Sequence, residues 1–283
     1  VCVMATGIVV RCISALIDNK FIDPCIIVVD EQCTHAISLL SGHLGGGNRM
    51  AELISSECGA TPIITTATDV SGHTAVDLWA VENNFLIANK MNLARISSKL
   101  LEHSFLKVFL EKNYLSDIPD DFRVAGKEGN ADIVIGEHVK PEAEQLHLIP
   151  RVNYIGFGCR AGVEKHEFEH VFRILVEDSG IHPGSIGGIA SIDIKKNEKG
   201  LLEFAQERKW PIRFFSKEKI KNIFNDNLEV SGRVEEKIGV YGVCEPAAIL
   251  AAAQNGIPGK LIVKKRKWEK ITAAIAAREY STL

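Results

Sequence analysis

The chain has 283 residues, 46% of them apolar, and a formal charge of −3. That is enough material for two buried cores or a little more, and the charge is too near neutral to mark a nucleic-acid binder. No apolar run approaches the roughly 20 residues of a membrane span, and no signal-peptide or transit pattern appears. The seven cysteines are scattered without a C-x-x-C pair, which fits reduced thiols and an expected cytoplasmic location.

The chain opens on the strand-like run "VCVMATGIVV", with no initiator methionine or polar lead-in. The expectation is a natural chain that begins earlier, with a preceding strand and helix. "VCVM" reads as a strand and "GIVVRCISALID" as a helix, followed by "CIIVVD", a continuous apolar run suited to a strand buried on both faces. "NRMAELISSECG" reads as a helix ended by Gly59, and "TPIITT" as the next buried strand. Between these lies "SGHLGGGNR", rich in glycine. After Val81 the pattern loosens: "ANKMNLARISSKLLEHS" is helical and "ADIVIGEHV" a strand, but "KNYLSDIPDDFRVAGKEGN" is polar and turn-rich. From "VNYIGFGCRAG" a second alternation begins. It runs through a helix near Lys165 to Asp178, "GGIASID", "EKGLLEFAQERK", "PIRFF", "IGVYGVCEPAAILAAA" as strand into helix, "KLIVKK" and "TAAIAA". This predicts an α/β protein. Rossmann-like, mostly parallel sheets are expected in an N-terminal domain at 1–80 and a C-terminal domain at 150–283, with a smaller middle α/β region at 81–149.

In open α/β sheets the carboxyl ends of strands line the ligand crevice. Those positions are Ala5–Gly7, Ser41–Gly47 and Thr65–His73 in the first domain, and Gly156–Arg160, Ser191–Lys196 and Gly242–Pro246 in the last. Glycine lets backbone N–H groups approach a ligand, and helix N-termini favour anions, carboxylates included. The candidate binding residues are Thr6, Gly7, Ser41, Gly42, Gly45, Gly46, Thr66, Thr68, Gly156, Gly158 and Lys195, with Arg11, Arg49 and Arg160 as carboxylate partners. The same glycines are equally the residues of tight turns. Gly156-x-Gly158-x-x-x-Gly162 has one residue too many for the dinucleotide fingerprint, and "SGHLGGGNR" lacks the ending of a P-loop, which disfavours nucleotide. His43 and His73 lie in strand-end loops with Asp69 close by in sequence, a basis for acid–base chemistry; a loop-capping role is the alternative. Their spacing is not diagnostic of zinc, and no metal site of the protein's own is expected. Glu245 opens an alanine-rich helix, where capping explains a carboxylate as well as catalysis does.

The runs "MATGIVVR", "DPCIIVVDE", "SLLSGHLGGGNRMAELI" and "GATPIITTATDVSG", in this order and spacing, resemble the N-terminal domain of the cobalt-precorrin-5A hydrolase (CbiG) family. "GFGCRAG", "GGIASIDIKKNEKGLLEFAQERKWPIRFFS", "GVCEPAAILAAA" and "LIVKK" resemble its last domain. The resemblance covers nearly the whole chain, the middle least. It implies an enzyme of anaerobic cobalamin (vitamin B12) biosynthesis that opens the δ-lactone of cobalt-precorrin-5A and expels acetaldehyde, giving cobalt-precorrin-5B. It also implies a substrate fringed with carboxylates, which glycine loops and arginines suit. The cobalt is carried by that cobalt-tetrapyrrole substrate, so no cofactor of the protein's own is expected. His43 is the expected acid–base group, with Asp69 or His73 assisting and Glu245 as a further candidate. A homodimer and transient contacts with neighbouring pathway enzymes are the expected associations; nucleic acid and membrane are not. Two alternatives stand beside this reading: a non-catalytic carrier that channels the tetrapyrrole, and a nucleotide-dependent enzyme on a Rossmann-like sheet.

Overall fold

The computed structural model describes residues 1–19, 22–43, 45–66, 72–115, 117–138, 144–223, 242–254 and 256–279. They form two compact units. The first comes from residues 1–111, 117–135 and 140–148, the second from 112–116, 136–139 and 149–283. Among the described residues no helix is long and apolar enough to cross a membrane.

The first unit begins with β1 (Cys2–Val3), α1 (Thr6–Ile13), β2 (Ile26–Val29), β3 (His35–Leu40), α2 (Gly47–Cys58) and β4 (Thr61–Ile63), in sheet order β1-β2-β3-β4. Ile27, Val28 and Val29 of β2 are almost fully buried, as the apolar run predicts. β3 supplies the strand before the glycine loop, and it runs antiparallel to β2. The intervening turn is too short for a crossover. Its geometry is held by Asp30, whose carboxylate accepts from the Thr34 hydroxyl and from the N–H groups of Gln32, Thr34 and His35. Those bonds, the Thr34 hydroxyl first, hold Asp30 well below the usual carboxylate range. β1 pairs parallel with β2, and β3 with β4. α2 ends at Gly59 in the left-handed region (φ 71°), as expected. β4 is an edge strand with Thr61 and Pro62 exposed, not the buried strand its apolar run suggests.

The same unit continues with α3 (Val76–Glu82), β5 (Phe85–Ile87), α4 (Leu93–His103), β6 (Leu106–Leu110), β7 (Phe122–Val124), β8 (Ile133–Ile135) and β9 (Leu146–Pro150). A second sheet orders these strands β5-β9-β8-β6-β7, with β6 parallel to β7 and β8, and β8 parallel to β9. α4 buries Leu93, Ile96 and Leu100, one helical face. Trp79 of α3 packs edge-on against Phe85 and Phe122, at 5.8 and 4.9 Å between centroids.

The second unit holds β10 (Asn153–Cys159), α5 (Lys165–Ser179), β11 (Ile186–Ile192), α6 (Lys199–Glu207), β12 (Ile212–Phe215), α7 (Lys217–Asn222), α8 (Cys244–Ala252), β13 (Lys260–Lys267) and β14 (Ile271–Ala277). The strand expected just before α8 lies outside the described residues. The order is β12-β11-β10-β14-β13. β10, β11 and β12 are parallel, whereas β13 and β14 form an antiparallel hairpin with β14 inside the sheet. α5 opens on a reciprocal capping box between Glu164 and Glu167. Phe168 of α5 and Phe204 of α6 meet Phe157 of β10 edge-on at 5.4 and 5.9 Å. α8 packs its alanines against Tyr154, Ala190 and Ala276. Alternating residues of β10 thus face two helical layers, giving the α/β architecture of mostly parallel sheets expected from the sequence.

Candidate active site

The strand directions decide which loops of the first unit share an edge. β3 and β4 run together, opposite to β1 and β2. The loop after β3 and the residues after β4 therefore meet at one edge of the sheet, while the loop after β1 lies at the other. This corrects the expectation of one crevice: Thr6, Gly7 and Arg11 stand apart from Ser41–Gly47, Arg49 and Thr66. Thr68 and Asp69 lie outside the described residues.

The β3–α2 loop is closed on itself. The Gly46 N–H donates to the His43 carbonyl (2.9 Å), Gly47 to Ser41 (3.1 Å) and Asn48 to Gly42 (2.9 Å). A Cβ on Gly42 would sit 2.5 Å from Asn48 Oδ1, and one on Gly45 2.6 Å from the Ser41 side chain. Gly46 takes φ 77°, a conformation that favours glycine. The glycines read as a ligand cradle thus pack and turn the loop, and three of its amides are already engaged. The Asn48 side chain donates to Thr66 Oγ1 (3.2 Å), joining the loop to the residues after β4. Arg49 is exposed in the first turn of α2.

This closed loop delivers His43. Its Nδ1 lies 3.4 Å from Asp77 Oδ1, with the two side chains 12% and 11% exposed. Asp77 sits in the first turn of α3 and accepts from the N–H of Leu78 (3.0 Å). A few residues earlier, His73 Nδ1 lies 3.5 Å from Asp121 Oδ2. Asp121 also accepts from the Thr74 N–H (2.8 Å) and hydroxyl (2.7 Å). The segment from His73 to Asp77 therefore carries one member of each of two imidazole–carboxylate pairs. Asp77 and Asp121 were not singled out in the sequence; the only signal was Asp77's place in a helical first turn. Such a pair can take up and return a proton, the carboxylate fixing the ring and its tautomer.

In the second unit the expected strand-end residues serve packing. A Cβ on Gly156 would lie 1.9 Å from the Cys244 carbonyl oxygen, because α8 rests directly on β10. One on Gly158 would lie 2.6 Å from Thr272 Oγ1. These glycines admit neighbouring protein where a ligand was expected. Glu245 is 2% exposed and accepts from the Lys265 N–H at 3.0 Å, an anchor between α8 and β13. Lys195 pairs with Glu198 (3.0 Å), which also accepts from the Gly162 N–H (2.7 Å). Arg160 is exposed, its N–H donated to the Lys270 carbonyl. Burial pushes the Cys244 thiol up to about 12 and the Cys159 thiol up to about 11, the latter against the pull of Lys195. Neither thiol is a nucleophile at neutral pH. Among the described residues no group of three or more His, Cys, Asp or Glu is placed to hold a metal ion.

Two family models match the chain: "Cobalamin synthesis G N-terminal" at residues 1–69 and "Cobalamin synthesis G C-terminus" at residues 153–276. The chain is 31% identical to the "Probable cobalt-precorrin-5A hydrolase" of Methanocaldococcus jannaschii, over 97% of this chain and 84% of that protein. It is 31% identical to the "Cobalt-precorrin-5A hydrolase" of Salmonella typhimurium, over 87% and 74%. With the enzyme of the same name from Priestia megaterium it shares 27% over 98% and 78%. With both ends matched by the family models and the similarity running across most of each relative, the chain belongs to the CbiG family of cobalt-precorrin-5A hydrolases.

Proposed function

We propose that this chain is a cobalt-precorrin-5A hydrolase in which His43 is the acid–base group and Asp77 its positioning residue. The observation that carries the assignment of residues is the shielded His43–Asp77 pair at the glycine-loop edge of the first sheet. With Nδ1 turned to the carboxylate, Nε2 is the nitrogen assigned the proton transfer.

Water adds to the lactone carbonyl as His43 takes its proton, and the tetrahedral intermediate collapses with loss of the ring oxygen, which is reprotonated as a hydroxyl. Removal of that hydroxyl proton then lets its electron pair form the carbonyl of acetaldehyde while the adjacent C–C bond breaks. The electron pair of that bond goes to the macrocyclic carbon, which takes up a proton. One water enters and one acetaldehyde leaves, so atoms balance without oxidant or reductant. His73, held against Asp121 at the other end of the same segment, is the second proton carrier. The cobalt arrives and leaves with the substrate.

Anaerobic incubation with cobalt-precorrin-5A, trapping acetaldehyde and weighing the macrocycle, tests both levels. Wild type is expected to release acetaldehyde with the matching mass loss. His43→Ala is expected to lose on the order of 10²–10⁴-fold in turnover. Near-normal turnover in that variant removes His43 from the mechanism, and binding without release in wild type makes the chain a carrier.

A further inference from the structure

α3 carries Asp77 in its first turn, yet no side chain at the helix start fixes where that turn lies. The N-cap is Ala75, in extended backbone, with no side-chain acceptor for the first unbonded amides. Asp77 itself accepts only from the adjacent Leu78 N–H among the bonds described above (3.0 Å). The turn is therefore placed from outside the helix. Two consecutive residues do this, Asp121 just before β7 and Phe122 at its start.

The Asp121 carboxylate grips Thr74, the residue before the cap. Its Oδ2 accepts from the Thr74 N–H (2.8 Å) and its Oδ1 from the Thr74 hydroxyl (2.7 Å). Hydrogen bonds to an ionised acceptor are the strong ones, and this side chain is only 15% exposed. Phe122 and Trp79, both buried, meet edge-on at 4.9 Å, two residues beyond Asp77 on α3. The two holders are themselves fixed to the second sheet. The Asp121 carbonyl accepts from the Leu106 N–H (2.9 Å), and Phe122 pairs in register with the fully buried Leu106 of β6. Asp77 thus sits between a polar clasp ahead of it and an aromatic contact behind it. His43 approaches from the first sheet of the same unit to 3.4 Å. That distance leaves no slack, since hydrogen bonds weaken steeply beyond it.

We propose, resting on the hydrolase reading, that Asp121 is a positioning residue for the His43–Asp77 pair, acting through Thr74, besides facing His73. One carboxylate then sets both ends of the His73–Asp77 segment. Its two effects separate by chemistry. Beside His73 the charge acts; at Thr74 the hydrogen bonds act. Asp121→Asn keeps the Thr74 bonds, its oxygen accepting from the N–H and its amide donating to the hydroxyl oxygen, and loses the charge. Asp121→Ala loses both.

The test uses a His73→Ala background, in which any action of Asp121 through His73 is already gone. There Asp121→Ala is expected to lower kcat roughly tenfold with KM within about twofold, as for a misplaced catalytic group. Asp121→Asn in the same background is expected to stay within about twofold of His73→Ala alone. Thr74→Val removes the hydroxyl and leaves the carboxylate; it is expected to lose about threefold with normal melting, and serves if Asp121→Ala does not fold. Equal kcat with and without Asp121→Ala overturns the proposal. A loss shared equally by Asp121→Asn assigns the effect to charge and overturns the route through Thr74. A second readout needs no turnover: the carbon-bound proton signal of the His43 ring in the free full chain, assigned by its loss in His43→Ala. Asp121→Ala and Asp77→Ala are both expected to move that signal, and Asp121→Asn to leave it in place. A His43 signal untouched by Asp121→Ala overturns the proposal whether or not the chain releases acetaldehyde. Absence of acetaldehyde from wild type, with the His43 signal moved by Asp121→Ala, overturns the hydrolase reading alone.

Discussion

Asp77 and Glu245 both stand in the first turn of a helix, where the backbone dipole favours a carboxylate, yet their partners differ. Asp77 faces an imidazole, and Glu245 a strand amide. Asp77→Asn keeps an acceptor for Leu78 but no longer a charge beside His43. We expect kcat to fall on the order of 10²-fold or more with KM nearly unchanged, as for a lost imidazole-orienting carboxylate. A parallel change in KM and melting temperature, with kcat preserved, would make Asp77 merely structural. Glu245→Gln retains the acceptor for the Lys265 N–H, so turnover is expected to stay close to wild type. Glu245→Ala leaves that part-buried amide unmatched and is expected to cost about 1–2 kcal/mol in urea unfolding. Loss of turnover in a stable Glu245→Gln protein would return Glu245 to the chemistry. His43 and His73 were legible because they are histidines in glycine-rich or polar loops. Asp77 and Asp121 were not, because their roles come from chain folding that joins positions far apart in sequence.

Elements were legible where one periodicity ran long enough to dominate. α5, with Phe168, Val171, Phe172 and Leu175 on one buried face, is such a case, as is the apolar run of β2. β7 lies in a stretch that reads as polar and turn-rich, because short strands owe their existence to neighbours. Strand direction was not legible at all: the Asp30 turn reverses β3, and the short link between β13 and β14 does the same for β14. That reversal separates Thr6 and Arg11 from the His43 loop, which no composition of loops could reveal. The glycines of β10 show the same gap between pattern and cause. Gly156→Ala would press a methyl against the Cys244 carbonyl and the Ala248 amide, at 1.9 and 2.6 Å from backbone that cannot step aside. The expected cost is about 2–3 kcal/mol, from the overpacking range, read as a lower urea midpoint. A substitution that left the midpoint unchanged would show α8 free to lift from the sheet.

Over the whole molecule, the first sheet of the first unit, which carries the His43 loop, encloses less apolar surface than the sheet of the second unit. The first sheet of the first unit closes on a small core, Ile27, Val29, Ala36 and Ala51, while Ile8, Val10 and Leu53 on its helices stay exposed. The second unit surrounds Phe157, Phe168 and Phe204 with a continuous set of buried residues on α5, α6 and β14. Regions with few buried apolar contacts open at lower free energy, and chains of several units need not unfold in one step. The tryptophans supply separate reporters: Trp79 packs inside the first unit, and Trp210 and Trp268 pack against the core of the second. We expect a Trp79→Phe variant, which reports the second unit, to show a higher urea midpoint than a variant with Trp210 and Trp268 both replaced by Phe, which reports the first. Circular dichroism of wild type should span both transitions. Coincident midpoints, matched by circular dichroism, would mean that the units unfold as one cooperative body. A lower midpoint for the first unit would mean that its acid–base pairs are lost while the core of the second is intact. Acetaldehyde release in urea should then be lost at the lower of the two midpoints.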